Sequence, residues 1–154
     1  MSGSTLHLIR LQTGRWPRVF REPTFAVVAS EEEFRDLTGA REEVPDLDRY
    51  VLILVARGVC PTGGYQVRVE RVVRQPDGVR VLIRYRDPRP RDSVTMTMTS
   101  PVDAVLVPRE QLPAEKPWVF IFRGQDGAER ARRIVGVPRT GGEVRGQEEE
   151  ARGR

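Results

Sequence analysis

Apolar and charged residues alternate along two neighbouring segments of this chain, and a short turn separates the segments. Between Val79 and Tyr85 every second residue is apolar, and arginines occupy most of the other positions up to Arg86. A period of two places the apolar side chains on one face of a β-strand and the charged side chains on the other. Residues 66–74 alternate in a similar way, and Pro76-Asp77-Gly78 favours a hairpin turn between the segments. The pattern predicts an antiparallel hairpin with one buried face.

The alternation changes phase within the first of these two segments. Val67 and Val69 share one parity, whereas Val72 has the other. One extra residue in a strand, a β-bulge, produces this change because it moves every later side chain to the opposite face. We therefore predict a bulge or bend near Glu70.

A continuous apolar run, residues 50–56, predicts a different kind of strand. It is rich in β-branched residues and is bounded by charge and by Gly58. A run without alternation is typical of a central strand that is buried on both faces. The compact apolar run at residues 24–29 predicts a further strand.

A short helix is predicted between these two runs. Ser30 and Glu33 have the spacing of a capping box, in which the two side chains satisfy amides at the start of a helix. Phe34 and Leu37 are three residues apart and should pack inward from one face. Gly39 is suited to ending the helix in the left-handed conformation. At about two turns, such a helix depends on docking for its stability.

Several further segments have the apolar patterns of short strands. At residues 94–99, Val94, Met96 and Met98 alternate with threonines, which predicts a half-buried strand and favours a core position for both methionines over a copper or partner site. The remaining predicted strands are residues 6–11, 102–107, 118–122 and 134–137.

These elements together predict a mainly β, β-rich α+β fold. About eight short strands, one short helix and sequential hairpins favour an antiparallel sandwich or an open barrel. The length suits a single domain, which we expect to span residues 1–137. Residues 138–154 contain almost no apolar side chains to bury, so we predict that they form a disordered tail.

Few residues are suited to catalysis or metal binding. The chain has one cysteine, Cys60, and one histidine, His7, whereas a structural zinc site needs about four thiolate or imidazole ligands. Asp46, Asp48 and Asp103 lack the spacing of an oxygen-ligand loop. A nucleophile–base pair would have to use His7, near the N-terminus. We therefore predict no catalytic residues, no metal, no cofactor and no enzymatic activity.

The basic residues allow two interpretations. The chain has a formal charge of +4, and all of its 26 basic residues except Lys116 are arginine. Phosphate contacts to nucleic acid are one interpretation. The favoured one is a set of solvated arginines, because they are interspersed with 22 acidic residues and form no run. We expect no specific nucleic-acid partner, and arginines gathered on one face of the folded chain would favour the opposite conclusion.

No targeting or membrane segment is evident in the sequence. Residues 1–11 are too short and too polar for the apolar region of a signal peptide. No apolar run approaches the 18 residues of a transmembrane helix. As written, the sequence predicts a cytoplasmic product without a membrane partner.

A glycine-rich signature follows the predicted central strand and opens the next strand. It reads Pro61-Thr62-Gly63-Gly64-Tyr65, and the proline-bearing turn Asp87-Pro88-Arg89-Pro90 and the step Ser100-Pro101 come later. In this order the segments resemble the PrcB C-terminal domain family, which is named for a subunit of a bacterial protease complex. The resemblance covers residues 46–108, and more loosely from about residue 24. Arg91 departs from it, because many relatives carry glycine there.

The resemblance implies a non-catalytic protein-interaction domain, like a subunit that assembles or stabilises a protease complex. It implies a protein partner, for which a serine protease is one candidate, and many relatives look exported. An Arg-rich nucleic-acid-associated protein is the alternative hypothesis.

The signature itself is either structural or a binding loop. In a binding loop its backbone amides would cradle an anion, although the lysine and following helix of a nucleotide-binding loop are missing. The structural interpretation is favoured: Pro61 fixes its backbone, and Gly63 and Gly64 allow conformations that a Cβ would block. Tyr65 would pack its ring and bond the backbone through its hydroxyl, and the Thr62 hydroxyl would cap a turn amide.

Three aromatic residues form a second candidate site. Trp118, Phe120 and Phe122 share one parity of a predicted edge strand, so their side chains lie on one face. That face is either core or a partner surface.

Overall fold

The computed structural model describes residues 3–136, which form two packed β-sheets with one α-helix. The helix, α1, spans Glu31–Thr38, and a 3₁₀ turn spans Arg109–Gln111. In chain order the strands of the described residues are β1 (Ser4–Thr5), β2 (Ile9–Arg10), β3 (Thr24–Val28), β4 (Tyr50–Ala56), β5 (Gln66–Gln75), β6 (Gly78–Arg86), β7 (Val102–Pro108), β8 (Trp118–Arg123) and β9 (Glu129–Val135).

The strands form a five-stranded and a four-stranded sheet. The five-stranded sheet has the order β1-β5-β6-β8-β9, and the four-stranded sheet has the order β2-β7-β4-β3. Every pair is antiparallel except β6 with β8, which run parallel because the chain leaves the first sheet after β6 to form β7 in the other. The predicted mainly β sandwich is confirmed, and the sheets do not close into a barrel.

The predicted hairpin and central strand are both present. β5 and β6 pair around a turn at Pro76 and Asp77, with Gln75 opposite Gly78. β4 lies between β3 and β7, and six of its seven residues are buried. Its two faces are buried because the five-stranded sheet covers one, while α1 and the neighbouring loops cover the other. The sandwich therefore has a third, partial layer.

The helix begins and ends where the sequence predicts. Ser30 Oγ accepts a hydrogen bond from the Glu33 amide at 3.2 Å, and Glu33 Oε1 accepts one from the Ala29 amide at 3.0 Å. Gly39 follows the last turn with φ 76°, and its N–H donates to the Arg35 carbonyl at 2.8 Å. Phe34 is fully buried, so the helix gains its stability by docking on the four-stranded sheet.

The β-bulge predicted near Glu70 lies in β5 and exposes backbone groups to the other sheet. The pairing of β5 with β6 shifts register between Val69 and Arg71. The Val69 N–H donates to Asp103 Oδ2 at 2.7 Å, and its carbonyl accepts from the Arg10 guanidinium. Arg10 also binds the Asp103 carboxylate through Nε at 3.1 Å. A partly buried ion pair of the four-stranded sheet thus satisfies backbone groups of the five-stranded sheet at Val69.

Three predictions about strands are wrong in detail. Residues 94–99 form no strand, and Met96 and Met98 are among the most exposed apolar residues described. Of the strand predicted at 6–11, only Ile9–Arg10 is a strand (β2); β1, at Ser4–Thr5, precedes the predicted range and belongs to the other sheet, because the chain crosses between the sheets. β8 is not an edge strand, since β6 and β9 flank it.

Some predictions fall outside these observations. The disordered tail at residues 138–154 lies outside the described residues, and the single domain at 1–137 stays a prediction. Within residues 3–136, no helix is long and apolar enough to cross a bilayer.

The link between Asp103 and Val69 should be essential for stability. Asp103→Ala removes the acceptor of the Val69 N–H and leaves Arg10 without its carboxylate, so we expect a loss of about 2–3 kcal/mol in the free energy of unfolding. Asp103→Asn keeps an acceptor and should lose less. Denaturant unfolding measures both variants, with Asp48→Ala at an exposed position as the matched control. Equal midpoints for Asp103→Ala and Asp48→Ala would contradict this role.

Candidate functional site

The signature lies in a loop, residues 58–65, that connects β4 to β5; we call it the signature loop. Cys60 and Thr99 form an isolated antiparallel bridge, with N···O distances of 2.7 and 2.9 Å. The Val59 amide donates to the Arg21 carbonyl at 3.1 Å. The loop is therefore held on one side by residues before β3 and on the other by residues before β7.

Both signature glycines are required by close packing. Gly64 has φ 91°, and a Cβ there would lie 2.7 Å from Val94 Cγ1 and 2.8 Å from Pro88 Cβ. A Cβ on Gly63 would lie 2.5 Å from Thr95 Oγ1, and its amide donates to the Thr95 carbonyl at 3.0 Å. These contacts favour the structural interpretation of the signature.

The other signature residues depart from their predicted roles. The Thr62 hydroxyl donates to the Gly63 carbonyl at 3.0 Å and caps no amide of the described residues. The carbonyl of Thr62 accepts from Thr99 Oγ1 at 2.9 Å. Tyr65 is half-buried, and its ring contacts a cation; within residues 3–136 its hydroxyl has no backbone partner. Pro61 is exposed at the tip of the loop.

The cation at Tyr65 is Arg57, which the sequence did not single out. Its guanidinium lies 5.0 Å from the Tyr65 ring centroid and 5.4 Å from that of Tyr85. Nη1 donates to the carbonyls of Gln66 and Arg86 at 3.1 and 2.9 Å. Nη2 forms an ion pair with the carboxylate of Asp87. Arg57 therefore fixes the end of β4 to the hairpin of the other sheet, at the base of the signature loop.

Tyr85 is the titratable group most affected by this cluster. Burial raises the pKa of its phenol above the usual value, although the positive charges of Arg130 and Arg57 act in the opposite direction. The phenol is consequently neutral at physiological pH, as an ordinary tyrosine would be. Because its pKa is raised, the neutral ring of Tyr85 packs against the two guanidinium groups, and its phenol has no acid–base function near pH 7.

A five-residue segment, residues 95–99, projects beside the signature loop; we call it the methionine arch. The Thr95 carbonyl binds the Gly63 amide, and Thr99 pairs with Cys60, so both ends are anchored. Between these anchors, Met96 is 83% and Met98 is 68% exposed. Two flexible apolar side chains are thus held out to solvent on a fixed base.

The alternating pattern of residues 94–99 did not indicate that this segment forms an exposed arch. Alternation of apolar residues with threonines is the same whether the segment joins a sheet or pairs with a loop. Here the partner is the signature loop, and only Thr99 forms a bridge. The available signal was the prolines that flank the segment: Pro88 and Pro90 precede it and Pro101 follows it, and proline is typical of turns and strand ends.

Trp118, Phe120 and Phe122 belong to the core. Their exposed fractions are 5%, 0% and 0%, and all three pack between the sheets. A partner surface made of these rings is therefore wrong. The physical reason is the position of β8 as an inner strand, whose inward face meets the four-stranded sheet.

The cysteine and the histidine lie at opposite ends of the sandwich. Cys60 follows β4 and bridges Thr99, which precedes β7, whereas the His7 amide binds Gln111, which follows β7. The seven residues of β7 separate these ends by roughly 20 Å. Cys60 is buried. Within residues 3–136 no three His, Cys, Asp or Glu side chains are grouped so as to hold a metal ion.

An open groove of about 860 Å³ lies between the β2–β3 connection and the end of α1. Trp16 and Phe34 meet edge to face in its wall, with 5.6 Å between ring centroids. Arg15 and Glu43 form an exposed ion pair at its rim, at 3.9 Å. Its lining contains carboxylates but no histidine, cysteine or serine.

The alternation of apolar and charged residues along several strands places arginines on one face of the five-stranded sheet. The outer face of the five-stranded sheet carries seven of them, which we call the basic face: Arg68, Arg71, Arg80, Arg84, Arg86, Arg123 and Arg132. They are scattered in the sequence because four different strands supply them. The condition set for the nucleic-acid alternative, a clustering on one face, is met.

Comparison with known families identifies part of the chain. The family model described as PrcB C-terminal matches residues 51–108. This region runs from β4 to the end of β7, so it contains the signature loop, the β5–β6 hairpin and the methionine arch. The resemblance predicted from the signature is confirmed. No curated protein and no solved structure matches the chain at a significant level.

Substitution of the signature glycines tests the structural interpretation. Gly64→Ala forces an L-residue to φ 91° against two neighbours, so we expect a loss of roughly 1–3 kcal/mol in the free energy of unfolding. Gly63→Ala should lose less, because a single hydroxyl has to move. Gly14→Ala is the control, since nothing lies within 4 Å of the added Cβ. A Gly64→Ala midpoint equal to that of the control in denaturant unfolding would favour an exposed binding loop instead.

Proposed function

Because the family model described as PrcB C-terminal matches residues 51–108, we propose that this chain is a protein-interaction domain that assembles or stabilises a protease complex. In this proposal it has no peptidase activity, and its partner is a protein, for which a serine protease is one candidate. The observation that carries the proposal is the methionine arch beside the family signature.

The arch has the properties of a contact surface. Met96 and Met98 are exposed, whereas the threonines at its ends are bonded to the signature loop. Methionine is flexible and polarizable, which suits it to fill irregular gaps on a partner. Exposed apolar side chains that cluster beside a conformationally fixed loop favour recognition over packing. The signature loop then positions the surface without contacting the partner through its glycines.

The positions of Cys60 and His7 support a non-catalytic role. A thiolate nucleophile needs a base within hydrogen-bond reach, and these two residues lie at opposite ends of β7. Cys60 is also buried, and its Sγ lies 3.7 Å from the Gly58 carbonyl. These contacts are those of a packing residue.

Nucleic-acid association is the second candidate function. One observation favours it, which is the collection of seven arginines on the outer face of the five-stranded sheet. Arginines on one face provide the electrostatic footprint that phosphate binding requires. Binding of this kind should fall steeply as salt increases.

Co-purification from the native host tests the assembly proposal. We expect the tagged chain to co-purify with peptidase activity, and Met96→Ser combined with Met98→Ser to remove most of that activity from the eluate. Asp48→Ser is the control, because Asp48 is exposed and precedes β4, at the end of that strand away from the signature loop and the arch. All variants should melt at the same temperature, since each change is at an exposed position.

Two outcomes would contradict the proposal. Peptidase activity that never accompanies the wild-type chain, under conditions that preserve complexes, would remove its basis. Loss of co-purified activity in Asp48→Ser to the same extent as in the methionine variant would show that the arch is not the contact.

The isolated chain should hydrolyse neither a casein substrate nor a nitrophenyl ester. The reason is the separation of the cysteine from the histidine. Turnover by the purified protein that Cys60→Ser or His7→Gln abolishes would show that the chain is itself the enzyme. Turnover unaffected by either change indicates a contaminant and leaves the expectation intact.

A further inference from the structure

The basic face is an ordered array of arginines around an apolar centre. Cross-strand register defines two rows on the outer side of the five-stranded sheet. In one row Leu82 lies between Arg71 and Arg123, which are opposite it on the flanking strands. In the next row Ile121 lies between Arg80 and Arg132. Apolar and cationic groups are therefore interleaved.

The arginines outnumber the carboxylates on this face. Within residues 3–136, seven arginines face three carboxylates: Glu70, Asp77 and Glu129. Each carboxylate already has an arginine partner, at N···O distances of 2.8 to 3.2 Å. Arg68, Arg71 and Arg86 are exposed and form no ion pair with a described carboxylate.

Like charges lie directly opposite one another. Arg68 and Arg84 are cross-strand partners, and cross-strand Cβ atoms are about 5 Å apart. Such a pair destabilises a hairpin unless an anion compensates it. Glu70 reaches Arg84 at 2.8 Å, which leaves the charge of Arg68 uncompensated. The folded chain therefore keeps an unfavourable charge arrangement that an anionic partner would relieve.

Nearby arginines lower the pKa values of two of these carboxylates, Asp77 and Glu129. The Arg80 side chain holds the pKa of Asp77 below its usual value by hydrogen bonding and by its charge, with Arg132 adding a smaller effect. The hydrogen bond from Arg132 lowers the pKa of Glu129, and the charges of Arg123 and Arg80 act in the same direction. Arginines from two strands thus act on Asp77, and arginines from three strands act on Glu129.

The centre of the face is apolar and contains no aromatic ring. Val73, Leu82, Val119 and Ile134 are half-buried there, and Ile121 is 4% exposed beneath them. All ten aromatic residues of the chain lie elsewhere. Base stacking on aromatic rings is a major source of affinity for single-stranded nucleic acid, and this face cannot provide it.

We propose that the basic face docks an acidic, amphipathic segment of a protein partner, whose carboxylates bind the arginines and whose apolar side chains cover Leu82 and Ile121. The inference rests on the proposed function for the expectation that the partner is a protein. Arginine around an apolar centre is a usual composition of protein interfaces. A phosphate backbone would leave the apolar centre uncovered, which disfavours nucleic acid.

The basic face and the methionine arch are close along the chain. Arg86 ends β6, and Pro88 packs against Gly64 of the signature loop. The two surfaces are therefore joined by the short segment between β6 and the arch.

Binding of two synthetic peptides to the purified full chain tests the inference. One peptide mixes leucine and glutamate, and the second carries serine in place of every leucine. At about 0.15 M salt we expect the leucine peptide to bind and the serine peptide to bind several-fold more weakly. Arg68→Gln, Arg71→Gln and Arg86→Gln combined should weaken the leucine peptide about tenfold.

A second triple variant separates the face from net charge. Arg18→Gln, Arg41→Gln and Arg49→Gln remove the same charge at exposed positions away from the basic face and should leave affinity nearly unchanged. Equal losses in the two variants would overturn the inference, and so would absence of peptide binding. Tighter binding of a random DNA duplex at the same salt would assign the face to nucleic acid. None of these results depends on co-purified peptidase activity, so failure here is distinguishable from failure of the assembly proposal.

Discussion

A single buried carboxylate joins the two layers of this protein. Asp103 lies in the four-stranded sheet, and it accepts the backbone amide of Val69 across the gap to the other sheet. Arg10 completes the arrangement by binding both the carboxylate and the Val69 carbonyl. The bulge beside Val69 is what turns these backbone groups away from their own sheet. Sheet edges that would otherwise be open to another strand are thereby occupied.

Arg57 provides a second connection, and this one shapes the candidate site. Its guanidinium binds carbonyls of both strands of the hairpin and lies against two tyrosine rings. The signature loop starts immediately after it and is packed against the segment that carries the exposed methionines. The signature loop therefore forms the base on which the exposed methionines are held, and Gly63 and Gly64 are required because their neighbours leave no room for a Cβ.

Structural features that depend on neighbouring residues were predicted from the sequence. Features that depend on contacts between distant segments were not. The cap of α1, the bulge near Glu70 and the burial of β4 each follow from neighbouring residues. The pattern of 118–122 is apolar at both parities, so it could not distinguish an inner strand from an edge. The exposure of Met96 depends on a loop some thirty residues earlier in the chain, a distance that no periodicity reports. The basic face was missed for the same reason, because it needs the order of four strands.

The one parallel pair has a consequence for how the chain folds. Val79 pairs with Phe120, and between them the chain must leave one sheet, build β7 in the other and return. The β5–β6 hairpin can form from local contacts, but the β6–β8 pairing requires the closure of a long loop before any contact compensates for its entropy. High contact order of this kind is associated with folding in milliseconds to seconds. Until β8 arrives, the flank of β6 is an unpaired edge, so this interval is when a nascent chain is most exposed to aggregation.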